Sequence, residues 1–301
     1  MLTNRLGLPQ PFVDAATSDY TPTEGRYSVT RVIGSPCEAV LLRRHGGEVD
    51  SDVSDYVWAI LGTAVHKILE NSRETDSQLK ESFLEVPVGK FNGREYTLSG
   101  IFDLYDDNTG TVTDYKTASV IKWQKGEFDD YRMQLLLYCW MLRKIGFDAH
   151  DGEIVMVLRD WSKGKARFDK GYPQSQVQKV EFSFNQQHLN EAESYVHEWF
   201  VRVADFEGLD DGELEPCTPE QRWHRDDKWA VMRKGQKKAV KLFDSREEAV
   251  KHMDWLSNQA SNKGRPLYIE ERRGEDVKCE MYCSVRDWCP LWAKKIGGDA
   301  E

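Results

Sequence analysis

"GIFDLYDDNTGTVTDYK", residues 100–116, reads as two short strands around a turn at Asn108-Thr109-Gly110. Each strand carries an acid, Asp103 or Asp114, where an apolar residue would be expected. Opposite strands of a hairpin hold cross-strand neighbours about 5 Å apart, so an acid on each can grip one ion between them. Two carboxylates, a nearby carbonyl and waters make a hard oxygen cage suited to Mg²⁺ or Mn²⁺. Lys116 lies two positions after Asp114 and returns to the same face by strand alternation. A cation there can orient or deprotonate a water and neutralise charge building on a phosphate. An isolated D-x-K is most often a solvated hairpin, so its neighbours decide the reading.

Working outward, "YSVTRVIGSPCEAVLLRRHGG" predicts an extended entry and a helix opened by Ser35-Pro36 and closed at Gly46. "DYVWAILGTAVHKILENSRE" carries an apolar helical stripe at Val57, Leu61, Val65, Ile68 and Leu69. "SFLEVPV", "REYTLSGIFDLYD" and "TVTDYKTAS" follow as three strands, "YRMQLLLYCWMLRKIG" as an apolar helix with Gly146 at its end, and "GEIVMVLRD" as a buried strand. "NQQHLNEAESYVHEWFVRVADF" closes the series as an amphipathic helix. Helix, three antiparallel strands, helix, strand is the order of an α/β (α+β) core with helices against a mixed sheet. The core is expected over residues 20–207, with the acidic "DFEGLDDGELEP" as the boundary. A small basic ββαβ insertion is expected over 217–273, its helix begun by Asp244 or Ser245, and a cysteine segment over 274–301.

The 301 residues are 40% hydrophobic and 11% aromatic, enough to bury a full core. The longest apolar runs are a few residues, far short of the roughly 20 that cross a bilayer, and the N-terminus lacks a signal-peptide pattern. No membrane partner and a cytoplasmic location are therefore expected. Net charge is −10, which opposes a polyanionic partner, but residues 222–273 hold 14 Lys or Arg against 8 Asp or Glu, a local +6 that leaves −16 elsewhere.

Other residues stand in register with the hairpin. Asp103 in Gly100-Ile101-Phe102-Asp103 and Asp114-Tyr115-Lys116 resemble the two acidic motifs of the PD-(D/E)XK nuclease superfamily. "LGTAVHKILE" resembles its G-x-x-x-H helix, here Gly62 to His66, and "QLLLY" resembles the Q-x-x-x-Y motif of the RecB-like and Cas4-like branch, here Gln134 and Tyr138. Four apart, those two share a helix face. The resemblance implies a restriction-endonuclease-like core in which Asp103, Asp114, His66 and the Tyr115 backbone carbonyl hold the metal. It further implies that Lys116 serves the water and that Gln134 and Tyr138 orient Lys116 or the DNA strand. Phe102 stands where the superfamily's leading proline would be.

Cys279, Cys283 and Cys289 form C-x3-C-x5-C, three thiolates that need a fourth ligand, with Cys37 and Cys217 as candidates. The arrangement resembles Cas4-like and AddB-like nucleases, in which an N-terminal cysteine and three C-terminal ones hold a [4Fe-4S] cluster that staples the chain ends; this implies Cys37 as the fourth. Zn²⁺ would accept the same sulfurs. Cys139 reads as a core residue. In the insertion, Arg233, Lys234, Lys237, Lys238 and Lys241, with Trp223 and Trp229 before them, could hold a phosphate backbone and stack on a base.

The resemblance thus implies a metal-dependent DNA exonuclease of recombination, repair or phage replication. The chain lacks the G-x-x-x-x-G-K-[ST] motif of helicases. A helicase or a recombination or replication protein is an expected partner. A structure-specific endonuclease using the same site, an RNA-directed nuclease and a DNA-binding assembly subunit with a vestigial site are the alternatives.

Overall fold

The computed structural model describes residues 1–17, 22–73, 75–259 and 265–298, so the expected boundary at residue 20 lies outside the described residues. The chain divides into two compact units, residues 1–214 and 215–301.

The first unit is organised around strand β3. Its described elements of interest are β1 (Arg26–Ser28), α1 (Pro36–His45), α2 (Val57–Glu70), β2 (Gln78–Phe91), β3 (Arg94–Asp106), β4 (Thr111–Ala118), α3 (Asp129–Lys144), β5 (Asp151–Leu158), β6 (Val177–Ser183) and α4 (Gln186–Phe206). Asn92 and Gly93 join β2 to β3 with φ of 47° and 83°, the two positive values that suit a tight hairpin, and Phe91 pairs with Arg94 across it. A bulge between Pro87 and Gly89 shifts the register, after which the pairing continues to Gln78↔Asp106.

The six-stranded mixed sheet has the order β1-β3-β4-β5-β6, with β2 along the remaining edge of β3. β1 pairs with β3 in parallel at Thr97–Ser99, and β4 pairs with it antiparallel at Leu104–Asp106. Between these two partners Gly100–Asp103 have an unpaired edge, so β3 and β4 part at the two acids. β4 then runs parallel to β5 from Thr111↔Asp151 to Ala118↔Leu158, which requires the crossover that α3 provides. The edge strand β6, with its polar alternation in "VQKVEFS", was not among the expected strands; it pairs antiparallel with β5.

Helix α3 is buried from Gln134 to Leu142 and α4 buries Leu189, Ala192, Val196, Trp199, Phe200 and Val203, a single helical face. With Leu98, Phe102, Ile154, Met156 and Leu158 they form the core. Ser35 opens α1 by accepting from the Cys37 N–H, and Gly46 closes it. Helix α2 departs from its expected role. It buries none of its residues, and Ile68 of the apolar stripe is 73% exposed. Its close approach is to the end of β4, where a Cβ on Gly62 would lie 3.7 Å from Thr117 Oγ1, rather than to the core.

The second unit contains β7 (Lys228–Arg233), β8 (Lys241–Phe243), α5 (Arg246–Ser257) and β9 (Leu267–Arg272), in the sheet order β8-β7-β9, followed by α6 (Val277–Met281) and α7 (Pro290–Gly298). The ββαβ pattern is present, and Ser245 caps α5 by accepting from the Glu248 N–H. Val231, Ala249 and Leu256 form a small core, with Trp229, Phe243, Met253, Leu267 and Ile269 against it. No helix among the described residues is long and apolar enough to cross a membrane.

A Cβ at Gly100 would stand 2.7 Å from Tyr138 Cε1 and 3.1 Å from Val29 Cγ2. Gly100→Ala is expected to push Tyr138 off β3 and lower stability by about 1–3 kcal/mol. Denaturant unfolding measures this; an unchanged midpoint would contradict the close packing at that edge.

Candidate active site

The opening between β3 and β4 is where the polar groups gather. Asp103 and Asp114 are next in register after Leu104↔Thr113, and both are buried, at 7% and 3% exposure. The Tyr115 N–H, which has left the β3–β4 ladder, donates to Asp103 Oδ2 at 2.6 Å. His66, reaching down from α2, places Nδ1 3.1 Å from Asp103 Oδ1. Gln134 Nε2 donates to Asp114 Oδ1 at 3.0 Å, and the Lys116 ammonium lies 2.6 Å from Asp114 Oδ2 as an ion pair.

Gln134 therefore holds Asp114, and not Lys116. Tyr138 Oη donates to the Ile101 carbonyl at 2.7 Å and so satisfies the unpaired edge of β3. Its hydroxyl is turned to the backbone rather than to Lys116, one of the two partners, Lys116 or the DNA strand, expected for it. The i, i+4 spacing puts both side chains on one face of α3, where they fix an acid and the strand opposite it.

Burial pushes the Asp114 carboxyl up to about 6; Lys116 pulls it back and the charge of Asp103 raises it further. The contact with Asp103 raises the His66 imidazole, against the opposing effect of its partial burial. Asp114 Oδ2 is buried, with the Lys116 ammonium as its partner.

One further carboxylate was not among the expected site residues. Lys80↔Leu104 and Ser82↔Phe102 place Glu81 opposite Asp103, and ligand atoms of His66, Glu81 and Asp103 lie within 4.8 Å of one another. Glu81 has φ of +43°, a left-handed conformation that costs a non-glycine residue about 1–2 kcal/mol. Burial and the charge of Asp103 raise its carboxyl. An imidazole nitrogen with carboxylates converging from two strands, β2 and β3, fits a divalent cation, which would offset their repulsion. The Tyr115 carbonyl belongs to the same residue whose N–H binds Asp103.

In the second unit Cys279 is half-buried and its thiol is pushed up to about 11, chiefly by burial, with Asp276, Cys217 and Cys289 adding to the effect. Cys217 and Cys289 are thus electrostatic neighbours of Cys279. The Cys283 N–H donates to the Lys278 carbonyl at 2.8 Å. Cys37 lies buried at the start of α1 in the first unit. Cys139 is fully buried with its Sγ 3.5 Å from the Asp151 carbonyl, a core position.

Lys234, Lys237, Lys238 and Lys241 are exposed along the β7–β8 hairpin, whereas Arg233 is half-buried. Trp229 packs against the small core, so it is not offered for base stacking as expected; Trp223 is 51% exposed beside Tyr282.

The family model of the PD-(D/E)XK nuclease superfamily matches residues 59–290. Among solved structures, SSO0001 is similar at 17% identity with a TM-score of 0.45, covering 65% of this chain and 82% of that one. A phage-related exonuclease from Haemophilus somnus 129PT is similar at 14% identity with a TM-score of 0.27, with the same two coverages. No curated protein sequence matches the chain.

Glu81→Gly removes both a ligand and the strained conformation. In the absence of divalent ions it is expected to raise stability by about 1 kcal/mol, while weakening Mn²⁺ binding in calorimetric titration. A variant that is less stable and binds Mn²⁺ unchanged would contradict both roles.

Proposed function

The chain belongs to the PD-(D/E)XK nuclease superfamily, and from that premise we propose that it is a divalent-metal-dependent DNA exonuclease. The observation that carries the reading is the convergence of Asp103, Asp114, Lys116 and His66 where β3 and β4 part. Asp103 and Asp114 would hold Mg²⁺ or Mn²⁺, with the Tyr115 carbonyl, His66 and Glu81 as further ligands; an imidazole favours Mn²⁺. The bound ion would polarise the scissile phosphodiester and make water more acidic.

The chain's own groups do the rest. Lys116, held 2.6 Å from Asp114, orients the attacking water and balances negative charge on the phosphate. Water oxygen joins phosphorus and gives up a proton to solvent, the P–O bond on the leaving side breaks, and the departing oxygen takes up a proton from solvent. Gln134 fixes the Asp114 carboxylate, and Tyr138 fixes the strand that carries Asp103. The likeness of His66, Gln134 and Tyr138 to the RecB-like and Cas4-like branch supports action at DNA ends. In this reading the enzyme works on exposed ends or beside an unwinding partner.

The cysteine segment holds a [4Fe-4S] cluster in this reading, with Cys279, Cys283 and Cys289 as three ligands. Cys217, an electrostatic neighbour of Cys279, and Cys37 compete for the fourth place. The exposed lysines of the β7–β8 hairpin contact the DNA backbone.

Labelled linear single strands are expected to shorten from one end with Mn²⁺ or Mg²⁺ while circles survive, and Asp114→Ala and Lys116→Ala are expected to lose activity at least 100-fold. Cutting of circles by the same site would make it an endonuclease, and binding without cutting would make the site vestigial. Iron and sulfide content of anaerobically purified Cys37→Ser and Cys217→Ser proteins identifies the fourth ligand; full content in both excludes both cysteines from that place, and zinc in the wild type contradicts the cluster. Replacing Lys237, Lys238 and Lys241 by Ala should weaken DNA binding and lower its salt slope by up to about 3.

A further inference from the structure

Two large apolar side chains are left uncovered on the edge strand β2 and its neighbour β3 in the first unit's sheet. Phe83 on β2 and Ile101 on β3 are direct cross-strand partners and are 54% and 52% exposed. Buried Leu84 and Phe102 flank them and point into the core, so strand alternation turns Phe83 and Ile101 to the opposite side. Ile101 lies two residues from Asp103, and Phe83 lies two from Glu81, which is opposite Asp103. The apolar pair is therefore the next step along the strands from the acids, about 6–7 Å away at the rise of a strand. The Arg26 guanidinium stands 5.9 Å from the centre of the Phe83 ring.

An exposed aromatic–aliphatic pair side by side on the sheet is costly to leave in water. Continuity with the acids and the arginine over the ring fix the nature of the occupant. We propose that Phe83 and Ile101 form a stacking subsite for the base adjoining the scissile phosphodiester of a single strand, with Arg26 drawing the adjoining phosphate. This rests on the nuclease reading and extends it to substrate: a flat aromatic contact accepts any base, so the subsite selects unpaired strand over duplex without reading sequence. A base still paired in a duplex cannot lie flat on Phe83, so the step favours a frayed or single-stranded end.

The test uses the full chain carrying Asp114→Ala, which binds without cutting, and short single-stranded oligonucleotides with one position at a time made abasic. With Phe83 present, one abasic position near the bound end is expected to weaken binding about tenfold. Phe83→Ala should weaken binding of the intact strand by a similar factor and abolish the penalty at that position, a non-additivity that a general loss of fold would not produce. Phe83→Tyr should restore both. Equal binding by the Phe83 and Phe83→Ala proteins, or an abasic penalty of the same size in each, overturns the subsite. In that case the Asp114-containing protein still degrades single strands, which leaves the nuclease reading intact; if it neither binds nor cuts them, both fall.

Discussion

Two carboxylates buried side by side set the terms for the first unit. Asp103 and Asp114 are almost out of contact with water, and a buried carboxylate is tolerated only when charge and hydrogen bonds replace its hydration. The surrounding elements do this from four directions: a backbone N–H from β4, an amide from α3, an ammonium from β4 and an imidazole from α2. The compensation is incomplete, since the Asp114 carboxyl stays well above the ordinary range. A divalent cation bound at this opening would add compensating charge. The same constraint explains why β3 and β4 pair over only three residues: the ladder has to open for side chains and backbone N–H groups to turn toward one another.

The helices serve that opening in different ways. α3 is a core helix whose polar residues Gln134 and Tyr138 sit where the sheet lacks partners, so its apolar length positions two hydrogen bonds. α2 contributes little burial and one imidazole. Its exposed apolar stripe, together with Phe83 and Ile101, makes the surroundings of the site more apolar than a solvated hairpin would need, in keeping with a substrate that presents bases as well as phosphates.

Most of the site could be read in the sequence because it is local. Asp103, Asp114 and Lys116 fall within fourteen residues of one hairpin, and Gln134 with Tyr138 within one helical turn. Their partners were harder to assign, because which acid Gln134 meets depends on how α3 crosses the sheet. Glu81 was not legible at all. Counting back from the Asn92-Gly93 turn places Ser82 opposite Asp103, and only the bulge at Pro87–Gly89 slips the register by one residue to bring Glu81 there. The exposure of α2 was hidden for a related reason: an apolar stripe shows that a helix has a face, not that the core receives it. Trp229 illustrates the converse, since an aromatic among lysines was claimed by its own small core.

The central claim is that the opening between β3 and β4 holds a divalent ion. An anomalous difference map from crystals grown with Mn²⁺ tests it directly. The account predicts a peak in coordination contact with the carboxylates of both Asp103 and Asp114, absent from crystals of Asp103→Asn. No peak at these two residues, or Mn²⁺ bound only elsewhere on the chain, would contradict it.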